Sequence, residues 1–320
     1  MGGSRSVLFR EVQQLVCTWR LIKHIDLLYV DHAGVLLGGL YARLSKVKVV
    51  FRVMGCYGIR TSFKNVNFFK RVYQWSYKAP FSAIIATQDG SGVQECLDVA
   101  CSRKSKTYIL LNGVDMFHID KEPSFHLPTN KTIVLFVGRL DYDKGCKEFF
   151  EALVQILLKN QNLYGLVVGD GPLRLFLEEK VIALNLHDSF HVISKVKHDE
   201  VLDIQNSSDI YISLNRAGNL SNANLEAMSV GQCMIIPKSQ EETHIDLITD
   251  SLLSDKAVMR VSSVDNINEI AQAILTLHGN PDLRQSMSNN LKQESKKFLR
   301  SWDERIEEEI AILESLHQDD

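Results

Sequence analysis

The chain predicts a two-domain α/β protein built on parallel sheets, and three observations carry that expectation. Short, fully apolar runs alternate with segments of helical apolar phase almost throughout, the pattern of parallel strands joined by crossover helices. The 320 residues are enough for two such domains, each burying a core of its own. A proline-containing polar stretch, Lys121–Asn130, interrupts the alternation and reads as a linker. Two doubly wound, Rossmann-like domains with a cleft between them follow from this pattern.

In the first part, strands are predicted at Ile25–Val30, Val47–Val53, Ala83–Ala86 and Thr107–Leu111. Before them, Val7–Ile22 has the apolar phase of an amphipathic helix with no strand ahead of it. A crossover helix needs a strand to cross from, so the N-terminal domain is expected to be incomplete, short of its opening one or two βα units. A naturally short sheet capped by a helix is the other reading. After the linker, strands are predicted at Ile133–Val137, Gly165–Val168, Ser189–Ile193, Asp209–Leu214, Cys233–Ile236 and Ala257–Val261. Phe298–Leu316 is a strongly acidic helix pattern with Trp302, Ile306, Ile310 and Leu313 on one face, read as a packing helix. The expected division is 1–118, 119–296 and a terminal helix, 297–320.

Composition narrows the function classes. A hydrophobic fraction of 45% and a charged fraction of 23% are those of an ordinary soluble protein. No apolar run reaches the roughly 18–20 residues that span a bilayer, and nothing reads as a secretory signal with a cleavage site. Cys17, Cys56, Cys96, Cys101, Cys146 and Cys233 form no C-x-x-C pair or zinc spacing and read as scattered thiols of a reducing compartment. A cytoplasmic protein is expected. Residues 1–80 carry 13 Lys and Arg against 3 Asp and Glu, whereas 81–320 carry 23 against 36. That asymmetry points to an anionic partner for the first part, such as nucleic acid, an anionic lipid surface or a phosphorylated acceptor. No nucleic-acid reading element is visible, so nucleic acid is not expected.

Three loops carry the chemistry. Gly138-Arg139-Leu140-Asp141-Tyr142-Asp143-Lys144-Gly145 lies between a buried strand and the helical phase of Glu148–Leu153. Glycine lets backbone approach a ligand, Arg139 and Lys144 neutralise an anion, and the free N–H groups of a helix start point at it. Val168-Gly169-Asp170-Gly171-Pro172 ends another strand, with Pro172 at a helix start where a missing N–H costs nothing. Ligands gather at such strand ends, although Asp170 also fits a plain tight βα turn. Leu220-Ser221-Asn222 precedes a helix expected to begin near Ala223, capped by Ser221 or Asn222. Glu226 is placed in its first turn, where it would either stabilise the helix start or accept hydrogen bonds from ribose hydroxyls.

Together these loops resemble glycosyltransferase family 4, retaining enzymes of the GT-B fold that use nucleotide sugars. The pieces stand in that family's order: Asn112-Gly113-Val114-Asp115, G-R-L-x-x-x-K-G, the G-D-G-P turn, His198–Asp209 leading to Ser208-Asp209-Ile210-Tyr211-Ile212, L-E-A-M-x-x-G, and Ser301-Trp302-Asp303 opening a final helix that crosses back to the first domain. The resemblance implies that Gly138, Arg139, Lys144 and Gly169 line the donor diphosphate. By the same resemblance Glu226 holds the ribose hydroxyls, and backbone around Leu220, Ser221 and Asn222 faces the distal phosphate and sugar. The donor is a nucleotide-diphosphate sugar, no metal is expected, and the acceptor is a glycan, a lipid-linked molecule or a small molecule.

Departures from the family pattern are equally specific. A second glutamate usually stands eight positions before the L-E-A-M glutamate; here that residue is Gly218. A histidine often follows the strand equivalent to Val47–Val53; here Met54 does. The family's glycine-rich first loop belongs to the portion expected to be missing. A divergent enzyme, a fragment of one, and a nucleotide-sugar-binding or scaffolding protein without turnover all fit this pattern.

Other signals compete. Asp141-Tyr142-Asp143 matches the D-x-D by which GT-A enzymes hold a divalent metal, but it is embedded in the G-R-L to K-G loop. Arg60–Lys78 interleaves Arg60, Lys64, Lys70, Arg71 and Lys78 with Phe63, Phe68, Phe69, Tyr73, Trp75 and Tyr77. That is either a segment peripheral to an anionic membrane surface, acting with the other basic residues of 1–80, or a helix whose aromatics face the sheet. Met1–Ser6 fits a myristoylation pattern or an internal start. His191 and His198 fall beside the expected nucleotide-base pocket, with surface or packing roles as the alternative.

Overall fold

The computed structural model describes residue 13 and residues 17–56, 59–60, 63, 68–115, 127–194 and 196–318. The myristoylation pattern, most of the Val7–Ile22 helix and residues 121–126 of the predicted linker lie outside them. The chain forms two compact units, one of residues 1–112 with 303–320 and one of residues 113–302.

The first unit holds β1 (Leu27–Val30), α1 (Val35–Leu44), β2 (Lys48–Val53), α2 (Phe68–Tyr77), β3 (Ala83–Thr87), α3 (Val93–Ala100) and β4 (Lys106–Leu110). The four strands are parallel and stand in sequential order. Their near-continuous apolar sequences follow from burial on both faces. Along β2, Val49, Phe51 and Val53 enter one core with Leu37, Tyr41 and Leu97, whereas Val50 enters a second core on the opposite face. Asp31 starts the turn into α1, its carboxylate accepting from the N–H groups of Ala33 and Gly34 at 2.9 and 3.1 Å. In α2 the residues of the basic aromatic segment divide between core and surface. Tyr73 and Tyr77 pack into the core, while Arg71, Val72, Trp75 and Lys78 are exposed and Arg43 stacks on the Trp75 ring at 3.8 Å.

The second unit holds β5 (Thr132–Val137), α4 (Cys146–Leu157), β6 (Leu163–Val168), α5 (Arg174–Ala183), β7 (Phe190–Ile193), α6 (His198–Asn206), β8 (Ile210–Ile212), α7 (Asn222–Val230), β9 (Met234–Pro237), α8 (Leu247–Leu252), β10 (Val258–Val261), α9 (Ile267–His278) and α10 (Pro281–Ser295). Its parallel strands run β7-β6-β5-β8-β9-β10 across the sheet. The chain starts in the middle, builds outward through β6 and β7, then returns to build outward through β8, β9 and β10. Val134, Phe136, Ile210, Ile212 and Ile235 meet Phe149, Leu153, Ile270 and Ile274 in one core. Every strand predicted from the sequence is present, with ends within two residues of expectation.

The last helix, α11 (Trp302–Gln318), differs from expectation in the face it buries. Ile312, Leu313 and Leu316 close the second core of the first unit against Val50, Ala83 and Ile85. Ile306 and Ile310, predicted to pack, are 51% and 47% exposed. The cause is polar. Buried Arg305 donates to the carbonyl of Leu111 at 2.9 Å and pairs with Glu309 at 2.7 Å, and Glu309 also takes the Tyr29 hydroxyl and lies 3.6 Å from Arg52. That ionic network turns the helix so that a mixed charged and apolar stripe faces inward. Among the described residues no helix is long and apolar enough to cross a membrane.

Chemical denaturation tests the rotated face. Ile312→Ala should cost about 2–4 kcal/mol, and Ile306→Ala no more than about 0.5 kcal/mol. The reverse order would restore the face expected from the sequence.

Candidate functional site

Strand order in the second unit reverses between β5 and β8, so the loops leaving these neighbouring strands diverge and open a crevice at their C-terminal ends. The loop after β5 is Gly138–Gly145, and that after β8 runs through Asn215 and Gly218 to α7. The G-D-G-P turn follows β6, on the other side of β5.

Backbone hydrogen bonds lace the loop after β5 to the G-D-G-P turn. Gly138 N–H donates to the carbonyl of Val168 at 3.0 Å, Leu140 N–H to that of Asp170 at 3.0 Å, and Leu173 N–H to that of Leu140 at 2.9 Å. A Cβ on Gly169 would stand 1.9 Å from the carbonyl oxygen of Gly138, so only glycine lets the two loops approach this closely. Leu140, fully buried, anchors the loop from below. Asp170 accepts from the N–H of Gly171 at 2.8 Å, which suits a tight turn. Further along, Gly145 packs on the loop after β8, where a Cβ would lie 2.6 Å from the carbonyl oxygen of Leu214.

The two cations project from this braced loop. Arg139 is largely exposed, with Nε 3.1 Å from Asp141 Oδ2. Lys144 closes a one-turn 3-10 helix, Tyr142–Lys144, whose start is capped by Asp141 accepting from Lys144 N–H at 3.1 Å. The first carboxylate of the D-x-D sequence is therefore engaged in holding the loop. Among the described residues, no three His, Cys, Asp or Glu side chains gather as a metal would require.

Arg216, which the sequence did not single out, clamps the crevice. Its guanidinium lies 2.8 Å from Glu148 Oε1, bonds both oxygens of Asp265 at 2.7 and 3.1 Å, and stacks on the Tyr142 ring at 4.4 Å. Its own N–H donates to the carbonyl of Asp143 at 2.8 Å. One side chain thus ties the turn carrying Lys144 to the loop after β8. It also neutralises Glu148, a buried carboxylate in the first turn of α4 that would otherwise oppose an anion there.

A buried polar network shapes the approach to α7. Asn219 donates to the Asp246 carboxylate through its N–H and its Nδ2, each at 2.7 Å, and Thr249 adds a third bond at 2.7 Å. Asn224 donates to Ser213 Oγ at 2.9 Å and accepts from the Tyr211 hydroxyl at 2.8 Å. Burial pushes the Asp246 carboxyl up, against the pull of the Asn219 and Thr249 bonds. The clustered asparagines of Asn219-Leu220-Ser221-Asn222-Ala223-Asn224 were the available signal. The partner of Asn219, Asp246, lies 27 residues away and was not visible from the motif.

Helix α7 begins one residue earlier than predicted, at Asn222. Ser221 occupies the N-cap position, but its side chain makes no capping bond; Leu220 is buried beneath it. Glu226 lies beyond the first turn, not within it, which removes the reading of a carboxylate placed to stabilise the helix start. It is buried, and its carboxyl is pushed up to about 7 by that burial; His198, with Nε2 at 3.8 Å, lowers it, and Asp115 raises it. All eight site residues expected from the sequence, Gly138, Arg139, Lys144, Gly169, Leu220, Ser221, Asn222 and Glu226, follow the C-terminal ends of β5, β6 or β8 along one edge of one sheet. Gly218 holds φ +124° and its carbonyl accepts from Asn215 Nδ2, a backbone state that L side chains rarely adopt. His191 is occupied by Tyr164, which it stacks upon at 5.4 Å and bonds at 2.8 Å. Met54 follows β2 in the first unit and is exposed.

Comparison with known proteins agrees with the parallel α/β fold. The family model for glycosyl transferases group 1 matches residues 119–294. Alpha-D-kanosaminyltransferase of Streptomyces kanamyceticus is 24% identical over 161 residues, 50% of this chain and 40% of that protein. A phosphatidylinositol N-acetylglucosaminyltransferase component of Arabidopsis thaliana is 26% identical over 269 residues, 82% of this chain and 55% of that protein. The chain spans about half the length of the curated relatives it matches. Among solved structures, Anabaena HepE in complex with UDP and glucose superposes with a TM-score of 0.72 at 16% identity, covering 98% of this chain and 83% of that one. The fold is that of two parallel-sheet, Rossmann-like domains.

Glu226 links the site to stability. Its folded carboxyl titrates near 7 against an ordinary 4.5, so the folded state favours the protonated form. This stabilisation is complete below about pH 4.5 and is lost as pH rises through about 7, a swing of roughly 3 kcal/mol. Melting curves from pH 5 to 8 should show wild type losing stability relative to Glu226→Gln as pH rises. Parallel pH profiles would refute the shift.

Proposed function

The chain belongs to the glycosyl transferases group 1 family, and we propose that it is a retaining, family 4 glycosyltransferase that moves a sugar from a nucleotide-diphosphate donor to an acceptor. The observation that carries this reading is the pairing, at one strand-order reversal, of a cation-bearing loop with a buried carboxylate. Arg139 and Lys144 would hold the diphosphate. The start of α7 would face the distal phosphate and sugar, and Glu226 would accept the ribose hydroxyls. A departing nucleoside diphosphate gathers negative charge, and fixed cations and helix N–H groups stabilise it as it forms. With Arg and Lys in that role, we assign no metal.

UDP and glucose in the Anabaena HepE complex make uridine nucleotides the first donors to try. The Arabidopsis relative's name specifies phosphatidylinositol, which favours a lipid-linked acceptor over a glycan or a small molecule. The excess of Lys and Arg in residues 1–80 and the exposed Arg71, Val72, Trp75 and Lys78 favour contact with an anionic membrane surface. A cytoplasmic, peripheral protein accommodates both. A second reading, a nucleotide-sugar-binding or scaffolding protein without turnover, is favoured by Gly218, whose backbone state disfavours the glutamate usual at that position, and by Met54.

A thermal-shift panel of UDP-, GDP- and ADP-sugars tests donor binding. A ligand at 100 times its Kd should add about 2.7 kcal/mol of stability, and the double variant Arg139→Ala/Lys144→Ala should lose that shift. An undiminished shift would refute the phosphate assignment. Donor hydrolysis at high protein concentration separates the two readings, because binding with no detectable turnover selects the second.

A further inference from the structure

Glu226 does not face the crevice alone. His198, the first residue of α6, holds Nε2 2.9 Å from Asp115 Oδ2 and 3.8 Å from Glu226 Oε1. Helix α6 packs against α7, and Asp115 follows Val114, which bridges to Ser301. Three separate stretches of chain therefore bring two carboxylates to one ring nitrogen. Their access to water differs: the side chains of His198 and Asp115 are 59% and 46% exposed, and that of Glu226 is 8% exposed. Among the described residues, the titratable groups facing Glu226 are His198 from α6, Asp115 before β5, and Tyr211 of β8, whose hydroxyl is tied to Asn224.

We propose that His198 is a positioning residue for Glu226, favouring the ionised, acceptor-only form that takes both hydroxyls of the donor's ribose, with Asp115 orienting the His198 ring, so that donor affinity depends on pH. The proposal rests on the donor-binding reading above. A vicinal diol offers two O–H donors, and an ionised carboxylate accepts both, whereas a protonated one keeps an O–H that must itself donate. Burial favours the protonated form of Glu226. A positive His198 is the one group facing it that opposes this. Asp115 contributes by accepting the shorter bond from Nε2, which keeps the ring turned toward Glu226. Asp115 also repels Glu226 directly, an effect smaller than the pull of His198.

Calorimetric titration of the full chain with UDP, GDP and ADP from pH 6 to 8.5, repeated with the 2′,3′-dideoxy form of the tightest probe, tests this directly. The ratio of parent to dideoxy affinity isolates the ribose contact, because both probes share the phosphates' own titration near pH 6. In wild type this ratio should rise about tenfold between pH 6 and 8, following ionisation of a group near 7. In His198→Gln, which keeps a donor and removes the charge, the rise should move to higher pH, leaving the ratio at pH 7 roughly threefold to tenfold lower and largely recovered at pH 8.5. His198 is mostly exposed, so the variant should fold. A His198→Gln profile that superimposes on wild type overturns the positioning role while leaving donor binding intact. Equal affinity of parent and dideoxy probes at every pH removes Glu226 from the ribose, and the proposal with it. Failure of all three probes to bind wild type at any pH refutes the donor reading itself. Carboxyl carbon NMR of ligand-free Glu226 gives an independent readout: its midpoint should rise in His198→Gln, and an unchanged midpoint also overturns the proposal.

Discussion

The reversal of strand order between β5 and β8 is the constraint on which the rest of the second unit depends. Parallel strands need crossover connections, and these keep one hand. A chain that builds outward in one direction and then returns to build in the other must leave two adjacent strands whose exits diverge. At that point alone the sheet's C-terminal edge is not bridged by its own connections. The cation-bearing loop leaves one of these strands, and the helix carrying Glu226 follows the other. Topology leaves room for a ligand there, and helix starts bring N–H groups to the same edge.

An open crevice needs bracing, and most of the residues around this one provide it. Gly169 and Gly145 permit backbone-to-backbone approach on either side of the first loop. Arg216 joins the Lys144 turn to the loop after β8 and cancels the charge of Glu148. Asn219, Asn224 and Asp246 hold the approach to α7 through a network with little access to water. Such a network is costly if half made, because removing one partner strands a buried charge or amide. Rigid support under the two cations would suit the proposed role of meeting charge as it develops on a leaving group.

Much of this was legible in the sequence, for identifiable reasons. Strands buried on both faces write themselves as apolar runs such as Ile133–Val137, and parallel architecture follows from their alternation with helices. The loop residues were legible because glycine, arginine and lysine at a strand end have few structural uses in common. What escaped depended on distant partners. Arg216 reads as an ordinary loop cation until Glu148 and Asp265 are seen around it. Asp246 gives no local sign that Asn219 needs it. The buried face of α11 was misread because apolar spacing favoured Ile306 and Ile310, whereas Arg305 and Glu309 found partners inside. Glu226 was placed in the first turn of its helix, and the start at Asn222 rather than near Ala223 puts it beyond that turn.

The central claim is that a nucleoside diphosphate seats at this strand-order reversal. Amide hydrogen exchange with and without saturating UDP, or whichever nucleoside diphosphate binds, reads that position directly. Protection should concentrate in 138–145 and 219–226, with the edge strand β10 unchanged. Binding that leaves 138–145 as exchangeable as before, with protection confined to other segments, would contradict the account.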